Sequence, residues 1–276
     1  MNRPPALSVI VPYYRKFREF ERVLPLNRPF LGRADYEVVL VMDEPSEKDA
    51  VLRLVRQAQD IRWRVILNEE DHEWRVPAKA INVGLKHALG TYVLICSPES
   101  AFITDVPACM LHLVRQQPRS AVFGQVQFAT FAELDASGGS VPETAARAGS
   151  VLRTGRAMLL KTEKMYYGSI CLSREDMASI HGYDESLHEW GGDDDNLRIR
   201  LRRSGVRMIH ADDVRILHLS FEPRASRWSG AEKSHAEIEK AFLPVAVKAN
   251  PDGWGRDFSR IIHDWLQTGK ESGKGA

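Results

Sequence analysis

Two strongly apolar, β-branched runs near the start of the chain, LSVIV (residues 7–11) and YEVVLVM (residues 36–42), most constrain the fold. Pro12 follows the first run, and the polar cluster DEPS (residues 43–46) follows the second. Such runs are typical of parallel strands covered on both faces, because a strand with one face in water alternates polar and apolar residues. Two further candidate strands are residues 62–67 and 92–96.

Helix-like stretches separate these strands, at residues 16–24, 47–59 and 78–89. Gly90 follows the last stretch as a helix stop signal. Strands that alternate with helices at this spacing predict an α/β sandwich with a mostly parallel sheet. In open sheets of this kind the ligand binds outside the carboxyl ends of the strands. The residues that fall there, and so predict one site, are Tyr13, Asp43, Asn68 and residues 97–100.

The second half of the chain has a weaker pattern. Residues 131–155 are rich in Ala, Ser, Gly and Thr without clear periodicity, which predicts a loop or a weak helix. The other expected elements are a strand over 168–172, helices over 174–180, 193–204 and 231–243, two short strands over 206–209 and 214–219, and a disordered tail from 268.

Composition narrows the class of protein. With 43% hydrophobic and 27% charged residues, the 276-residue chain is neither disordered nor collagen-like nor a coiled coil. The net charge of +1 gives little long-range attraction to nucleic acid, so a nucleic-acid partner is not expected. Three cysteines without metal-ligand spacing favour a reducing compartment. No signal-peptide pattern or membrane-spanning run is present, so we expect a cytoplasmic protein and leave peripheral membrane docking open.

The acidic run Asp193–Asp195, which follows the sequence WGG, is the sharpest local feature. Acids in the first turn of a helix complement the helix dipole, and this interpretation accounts for one or two of them. Three adjacent carboxylates repel one another, and the two glycines allow a ligand to approach the backbone. One carboxylate would then serve as a general base while its neighbour holds the substrate. The local pattern leaves both interpretations open.

The segments LSVIVPYYRK, VVLVMDEPS, PAKAINVGLKHALGTYVLI and WGGDDDNLRIRLRRSG, followed by the histidine of RILHL, together resemble glycosyltransferase family 2 in order and spacing. The resemblance covers residues 7–219. Its most specific part, GYDESLHEWGGDDDNLRIRLRRSG, is similar to the acceptor-side motif of galactosyl- and N-acetylgalactosaminyltransferases. The resemblance implies a GT-A fold, in which helices flank a mostly parallel central sheet. It also implies inverting transfer of a sugar from a nucleotide-sugar donor, such as a UDP-sugar, to a hydroxyl acceptor such as a glycan.

The resemblance also implies a domain organisation. The GT-A domain spans residues 1–222, with a nucleotide-binding half over 1–105 and an acceptor-binding half over 106–222. Beyond the resemblance, we expect a C-terminal helical extension over 223–267 and a disordered tail over 268–276. Trp228, Lys233 and His235 lie in this extension, either as an acceptor wall or, more simply, on a packing helix.

Site residues follow from the same resemblance. Asp194 matches the position of the catalytic base in the family. The reaction needs a base because the attacking sugar hydroxyl must lose a proton. The acceptor-binding positions are Trp190, Gly192 and Asp193. The donor-binding positions are Pro12, Tyr13, Asp43, Lys79, Asn82 and Ser97. Tyr13 as an ordinary strand-end aromatic and Asp43 as a turn residue stay open as alternatives.

The sequence departs from the family at the metal site. The family has an Asp-x-Asp motif that binds Mg²⁺ or Mn²⁺, and this chain reads CSPES, with Ser97 at the first acid and Glu99 at the second. His218 matches a position that supplies a third ligand in such proteins. The resemblance therefore implies a weakened Mn²⁺ or Mg²⁺ site with Glu99 and His218 as protein ligands. Cations such as Lys79 would then carry part of the charge of the leaving group.

Two alternative functions compete with this interpretation. A degenerate GT-A protein would bind nucleotide sugar or glycan without turnover, and the missing acid at Ser97 motivates this alternative. A nucleotidyltransferase would have a similar sheet, but it needs a glycine-rich phosphate loop after the first strand. The sequence PYYRKFREF has no glycine there.

Overall fold

The structure is a computed structural model that describes residues 3–72, 76–148, 169–187, 192–222, 246–256, 258 and 260–267. One mixed β-sheet forms its centre. Its strands are β1 (Leu7–Tyr13), β2 (Tyr36–Met42), β3 (Trp63–Leu67), β4 (Tyr92–Cys96), β5 (Ser100–Phe102), β6 (Ser120–Thr130), β7 (Ser169–Ser173), β8 (Arg207–Ser220) and β9 (Arg260–Asp264). Across the sheet they lie in the order β5-β8-β6-β7-β4-β1-β2-β3-β9. The neighbours β4-β1-β2-β3 pair in parallel, and β7 pairs antiparallel with both β4 and β6.

Helices cover both faces of this sheet. They are α1 (Phe17–Leu31), α2 (Lys48–Gln57), α3 (Ala78–His87), α4 (Val106–Gln116), α5 (Phe131–Ala136), α6 (Val141–Arg147), α7 (Arg174–Ser179) and α8 (Asp193–Arg203). Leu7 and Val9 of β1 pack in one core cluster with α1, α2 and α4. Ile10 packs in a second cluster with α3, α7 and α8. Both faces of β1 are therefore buried, which confirms the α/β fold that the apolar runs predicted.

The observed elements differ from the expected ones in ways that have local causes. β1 runs through Pro12 to Tyr13 instead of ending at Val11, and beyond Ile10 it pairs with β2 alone. A residue without an N–H is tolerated where a strand has a neighbour on one side only. Residues 131–147 contain two helices, each with a side-chain cap from Thr130 or Ser140. Helices this short do not show a hydrophobic period.

The two short strands expected at 206–209 and 214–219 are one strand, β8. β8 pairs in parallel with β6 over residues 207–211 and 215–220, although β6 was not predicted at all. The register shifts between Gly124 and Gln125, whose partners are Ala211 and Arg215. The exposed residues Asp212 and Asp213 lie in this irregularity, and they are the polar break that made one strand look like two.

The C-terminal residues complete the far edge of the sheet. Residues 260–264 form β9, which pairs antiparallel with β3, so this part of the expected helical extension is a strand. Arg64 and Asp264 form a buried ion pair at 3.3 Å, and the Trp265 indole donates to buried Glu37 at 3.1 Å. Residues 231–243 and the tail from 268 lie outside the described residues.

None of the helices within the described ranges combines the length and the apolar character that crossing a membrane requires. The longest of them, α1, has 15 residues and contains Pro25 and Pro29.

A glycine in α3 sets how closely this helix approaches the sheet. A Cβ atom at Gly84 would lie 2.5 Å from Ile10 Cγ2 and 3.1 Å from Val41 Cγ2. A Gly-to-Ala change inside a helix ordinarily stabilises it by about 0.5–1 kcal/mol. At position 84 we expect Gly84→Ala to lower the free energy of unfolding by about 1–3 kcal/mol, because β1 and β2 must shift. Urea denaturation measures this change.

The matched control is Gln57→Ala at the exposed end of α2, for which we expect a change within about 0.5 kcal/mol. An increase in stability for Gly84→Ala would show that the contact between α3 and the sheet relaxes freely.

Candidate active site

A cavity of about 110 Å³ lies where the carboxyl ends of β1 and β4 face the first turn of α8. Its lining includes Pro12 and Ser97, which the sequence assigned to the donor. It also includes Asp193 and Asp194, which the sequence assigned to acceptor and catalysis. The fold thus brings residues from both predicted halves of the chain to one site.

The start of α8 presents the carboxylates to this cavity. Gly192 caps the helix in the left-handed conformation, with φ of 87°, which residues with a Cβ adopt only with strain. Asp193–Asp195 then form the first turn, where the positive end of the helix dipole favours ionised carboxylates. Asp195 is not part of the cavity lining within the described residues. Trp190, an expected acceptor contact, lies outside the described residues.

A buried network holds α8 in place. The Arg200 guanidinium is fully buried and donates to Asn196 Oδ1 at 2.7 Å and to the Ile180 carbonyl at 3.0 Å. Asn196 in turn donates to Asp184 Oδ2 at 3.4 Å. Burial lowers the pKa of Arg200 to about 10, so it stays charged at neutral pH. The sequence analysis did not identify this role, although the i, i+4 spacing of Arg200 from Asn196 is visible in the sequence.

Two further side chains in the lining, Tyr183 and Cys96, have raised pKa values. Burial, followed by the nearby charges of Asp194 and Asp193, raises the pKa of Tyr183 well above its usual value. The phenol therefore stays protonated. Burial also raises the pKa of the Cys96 thiol to about 12, so this thiol is not a nucleophile at neutral pH. The lining also includes the carboxyl groups of Asp193 and Asp194 and the guanidinium of Arg198.

The two expected metal ligands lie together beside Ser97. β5 and β8 pair so that Ser100 is opposite His218, which brings His218 Nε2 within 3.5 Å of Glu99 Oε1. Lys16 Nζ lies 3.6 Å from the same carboxylate oxygen. Ser97 Oγ and Ser100 Oγ are 2.8 Å apart, so the serine that replaces the family acid has a neighbouring hydroxyl as partner.

These residues fit a divalent cation as a site with two protein ligands. A carboxylate and an imidazole are both ordinary ligands of Mn²⁺, and waters or diphosphate oxygens would complete the shell. Across the described ranges, no group of three or more His, Cys, Asp or Glu side chains is arranged to hold a metal.

Asp43 lies at the carboxyl end of β2 but is enclosed. His72 Nε2 is 2.9 Å from Asp43 Oδ1, and both side chains are about 5% exposed. Tyr14 stacks on the His72 ring with the ring centroids 5.4 Å apart. At the end of the next strand, the buried Nδ2 of Asn68 has no hydrogen-bond partner among the described residues. Buried polar groups are thus present at the carboxyl ends of both β2 and β3.

The structure removes two expected donor contacts from the site. The Tyr13 side chain is 1% exposed and donates to Glu47 at 2.5 Å, so it belongs to the core beneath the site. Asn82 is fully buried; it accepts from the Tyr183 N–H at 2.7 Å and donates to the Tyr183 carbonyl at 2.8 Å. Its amide joins α3 to the turn before α8, a long-range contact that no local pattern reveals. Lys79 is half-buried in the first turn of α3.

Comparisons with known proteins agree with this geometry. Residues 8–164, more than half of the chain, match the model of glycosyl transferase family 2, and residues 158–220 match the model described as the N-terminal domain of galactosyltransferase. No curated protein matches the sequence significantly.

Three solved structures share the fold at low identity. The catalytic domain of Drosophila β1,4-galactosyltransferase 7, solved with xylobiose, has 16% identity and a TM-score of 0.52 over 90% of this chain and 83% of that one. Mannosyltransferase PcManGT from Pyrobaculum calidifontis, solved with GDP-Man and Mn²⁺, has 21% identity and a TM-score of 0.52 over 87% of this chain and 62% of that one. GalNAc-T7, solved with UDP, GalNAc and Mn²⁺, has 14% identity and a TM-score of 0.58 over 86% of this chain and 48% of that one.

The chain therefore spans less than two thirds of the last two proteins, and these similarities concern the fold. The family match, which covers most of the strands that build the site, goes further. The chain belongs to glycosyl transferase family 2 and is a glycosyltransferase with the GT-A fold.

Proposed function

We propose that the chain transfers a hexose from a nucleotide sugar, with a UDP-sugar as the first candidate, to a hydroxyl of a glycan, with inversion and with Asp194 as general base. The observation that carries the proposal is the cavity in which Asp193 and Asp194 lie together with Pro12 and Ser97. The same cavity supports the assignment of residues 1–105 to the donor and of residues 106–222 to the acceptor.

The proposed reaction is an in-line displacement at the anomeric carbon. A bond forms from the acceptor oxygen to this carbon as the bond from the carbon to the diphosphate oxygen breaks, and the electron pair leaves with the nucleoside diphosphate. A sugar hydroxyl is a poor nucleophile, so Asp194 accepts its proton during the attack. Asp193, in the same helical turn, accepts a hydrogen bond from the acceptor and holds it in line.

The donor would lie along the carboxyl ends of the parallel strands. Pro12 and Ser97 provide the wall nearest the carboxylates. We assign the nucleoside to the ends of β2 and β3, where Asp43 accepts hydrogen bonds and the buried amide of Asn68 donates one. His72 Nε2 lies 2.9 Å from Asp43 Oδ1, so the ring has to shift for this contact to form.

A divalent cation is part of the proposal. PcManGT and GalNAc-T7 were both solved with Mn²⁺, and Glu99 and His218 of this chain would hold such an ion. The ion would offset the negative charge that develops on the leaving diphosphate. Because Ser97 replaces an acid of the family motif, we expect weaker dependence on the cation than in an Asp-x-Asp enzyme.

The alternative is a GT-A protein that binds nucleotide sugar or glycan without turnover. Ser97 favours it, because the loss of a metal-binding acid is one way to lose catalysis. The two carboxylates in the cavity favour the enzyme, since a binding module has no need of a base. Turnover measurements decide between the two.

Asp194→Asn tests the base. The amide keeps the shape of the side chain but cannot accept a proton at neutral pH, so we expect turnover to fall by about 10²–10⁴-fold. Nucleotide affinity and melting temperature should hardly change. Single-turnover transfer assays, nucleotide titration calorimetry and thermal denaturation measure the three quantities.

Asp195→Asn is the matched control, because it changes the same charge in the same helical turn outside the cavity lining. We expect its turnover to stay within a few-fold of the wild type. If Asp194→Asn retains near-native turnover, or if both variants lose activity equally, the base assignment fails and the non-catalytic alternative becomes the better account.

The stereochemistry tests the mechanism separately. With a panel of α-linked nucleotide sugars and simple glycan acceptors, we expect a product of β configuration from each donor that is used. Proton NMR of the anomeric signal, recorded early in the reaction, measures the configuration. A product that retains the α configuration would rule out a single displacement with Asp194 as base.

A further inference from the structure

A lysine ammonium lies at the proposed cation site. Lys16, the N-cap residue of α1, places its Nζ 3.6 Å from Glu99 Oε1 and 3.3 Å from Glu19 Oε1. His218 Nε2 approaches the same Glu99 oxygen at 3.5 Å. One carboxylate oxygen thus faces both the imidazole that would bind a metal and an ammonium that carries a charge of its own.

The charge balance between Lys16 and the two glutamates is important because the glutamates have little contact with water. Glu19 and Glu99 are 9% and 8% exposed, and the Lys16 side chain is 26% exposed. Carboxylates so little exposed to water need a nearby positive charge, since their solvation is largely lost. Lys16 provides that charge for both glutamates.

A divalent cation on Glu99 would bring a second positive charge next to the ammonium. Like charges a few ångströms apart in a partly buried site repel strongly. Glu19 provides an alternative partner that the lysine already contacts. We propose that Lys16 is the resident counter-ion of Glu99, that a divalent cation competes with it for this carboxylate, and that Lys16 stays with Glu19 when the cation binds.

The inference rests on the proposed cation site of Glu99 and His218 and is independent of Asp194 as base. It gives a physical reason for graded dependence on the cation: without metal, the Lys16 ammonium still offsets part of the negative charge of Glu99. Lys16 acts here as a positioning residue through Glu99. It is distinct from Lys79, the lysine that the sequence nominated for the leaving group.

Binding of Mn²⁺ alone tests the proposal, measured by the electron paramagnetic resonance signal of free Mn²⁺ in titrations with and without UDP. We expect Lys16→Met, which keeps much of the aliphatic length and removes the charge, to bind Mn²⁺ at least about tenfold more tightly than the wild type. The control Lys248→Met, at an exposed lysine, should bind as the wild type does. Adding Glu99→Gln to Lys16→Met should abolish the gain.

Glu19→Gln gives the opposite result and keeps the test decisive if Lys16→Met folds poorly. Without its alternative partner, Lys16 stays on Glu99, so we expect Mn²⁺ affinity several-fold below that of the wild type. Equal affinity for the wild type and the folded Lys16 or Glu19 variant overturns the proposal, as does a gain that survives Glu99→Gln. Loss of turnover in Asp194→Asn would leave this result unchanged, so the two proposals fail separately.

Discussion

The geometry of the site depends on a charge in the core. Arg200 is fully buried, and a guanidinium in such a place destabilises the fold unless hydrogen bonds compensate for its lost solvation. Its Nε donates to Asn196 Oδ1 and its Nη1 to the Ile180 carbonyl, while the buried Nη2 has no hydrogen-bond partner among the described residues. The two bonds tie α8 to the residue that follows α7. The first turn of α8 therefore presents Asp193 and Asp194 to the ends of β1 and β4 in a fixed orientation.

The charged side chains around Glu99 lie on the proposed donor side of the site. Lys16 and His218 both lie close to one oxygen of Glu99, and Lys16 also contacts Glu19. One ammonium thus serves two carboxylates that have little contact with water.

Local patterns predicted those parts of the fold that local physics decides. The buried strands β1 and β2 were visible in their apolar runs, and α8 was visible in its acidic start. Contacts between distant segments were not visible. Asn82 looked like a donor contact, and only its bonds to Tyr183, 101 residues away, give its role. Tyr13 looked equally plausible, but its direction depends on Glu47, 34 residues away. The strands β6 and β9 needed partners that the sequence does not identify.

Part of the predicted site lies together in the structure, although its roles stay predictions. Pro12, Ser97, Asp193 and Asp194 line one cavity, because strand ends and helix starts are positions that short motifs mark. Glu99 and His218 also converge, through the pairing of β5 with β8. The Lys16 contact was missed because a lysine at a helix start ordinarily faces water.

The pairing of β9 with β3 has a consequence for the order in which the protein is made. The donor half of the site is built from early residues, yet its outer strand is covered by residues 260–264, and Arg64 meets Asp264 across 200 residues. During synthesis the ribosome releases β1, β2 and β3 long before their last neighbour exists. Until then the edge of β3 has unpaired backbone groups, and Arg64 and Glu37 lack their late partners Asp264 and Trp265. The nascent chain therefore has an open sheet edge until residues 260–264 are made, and such an edge favours aggregation.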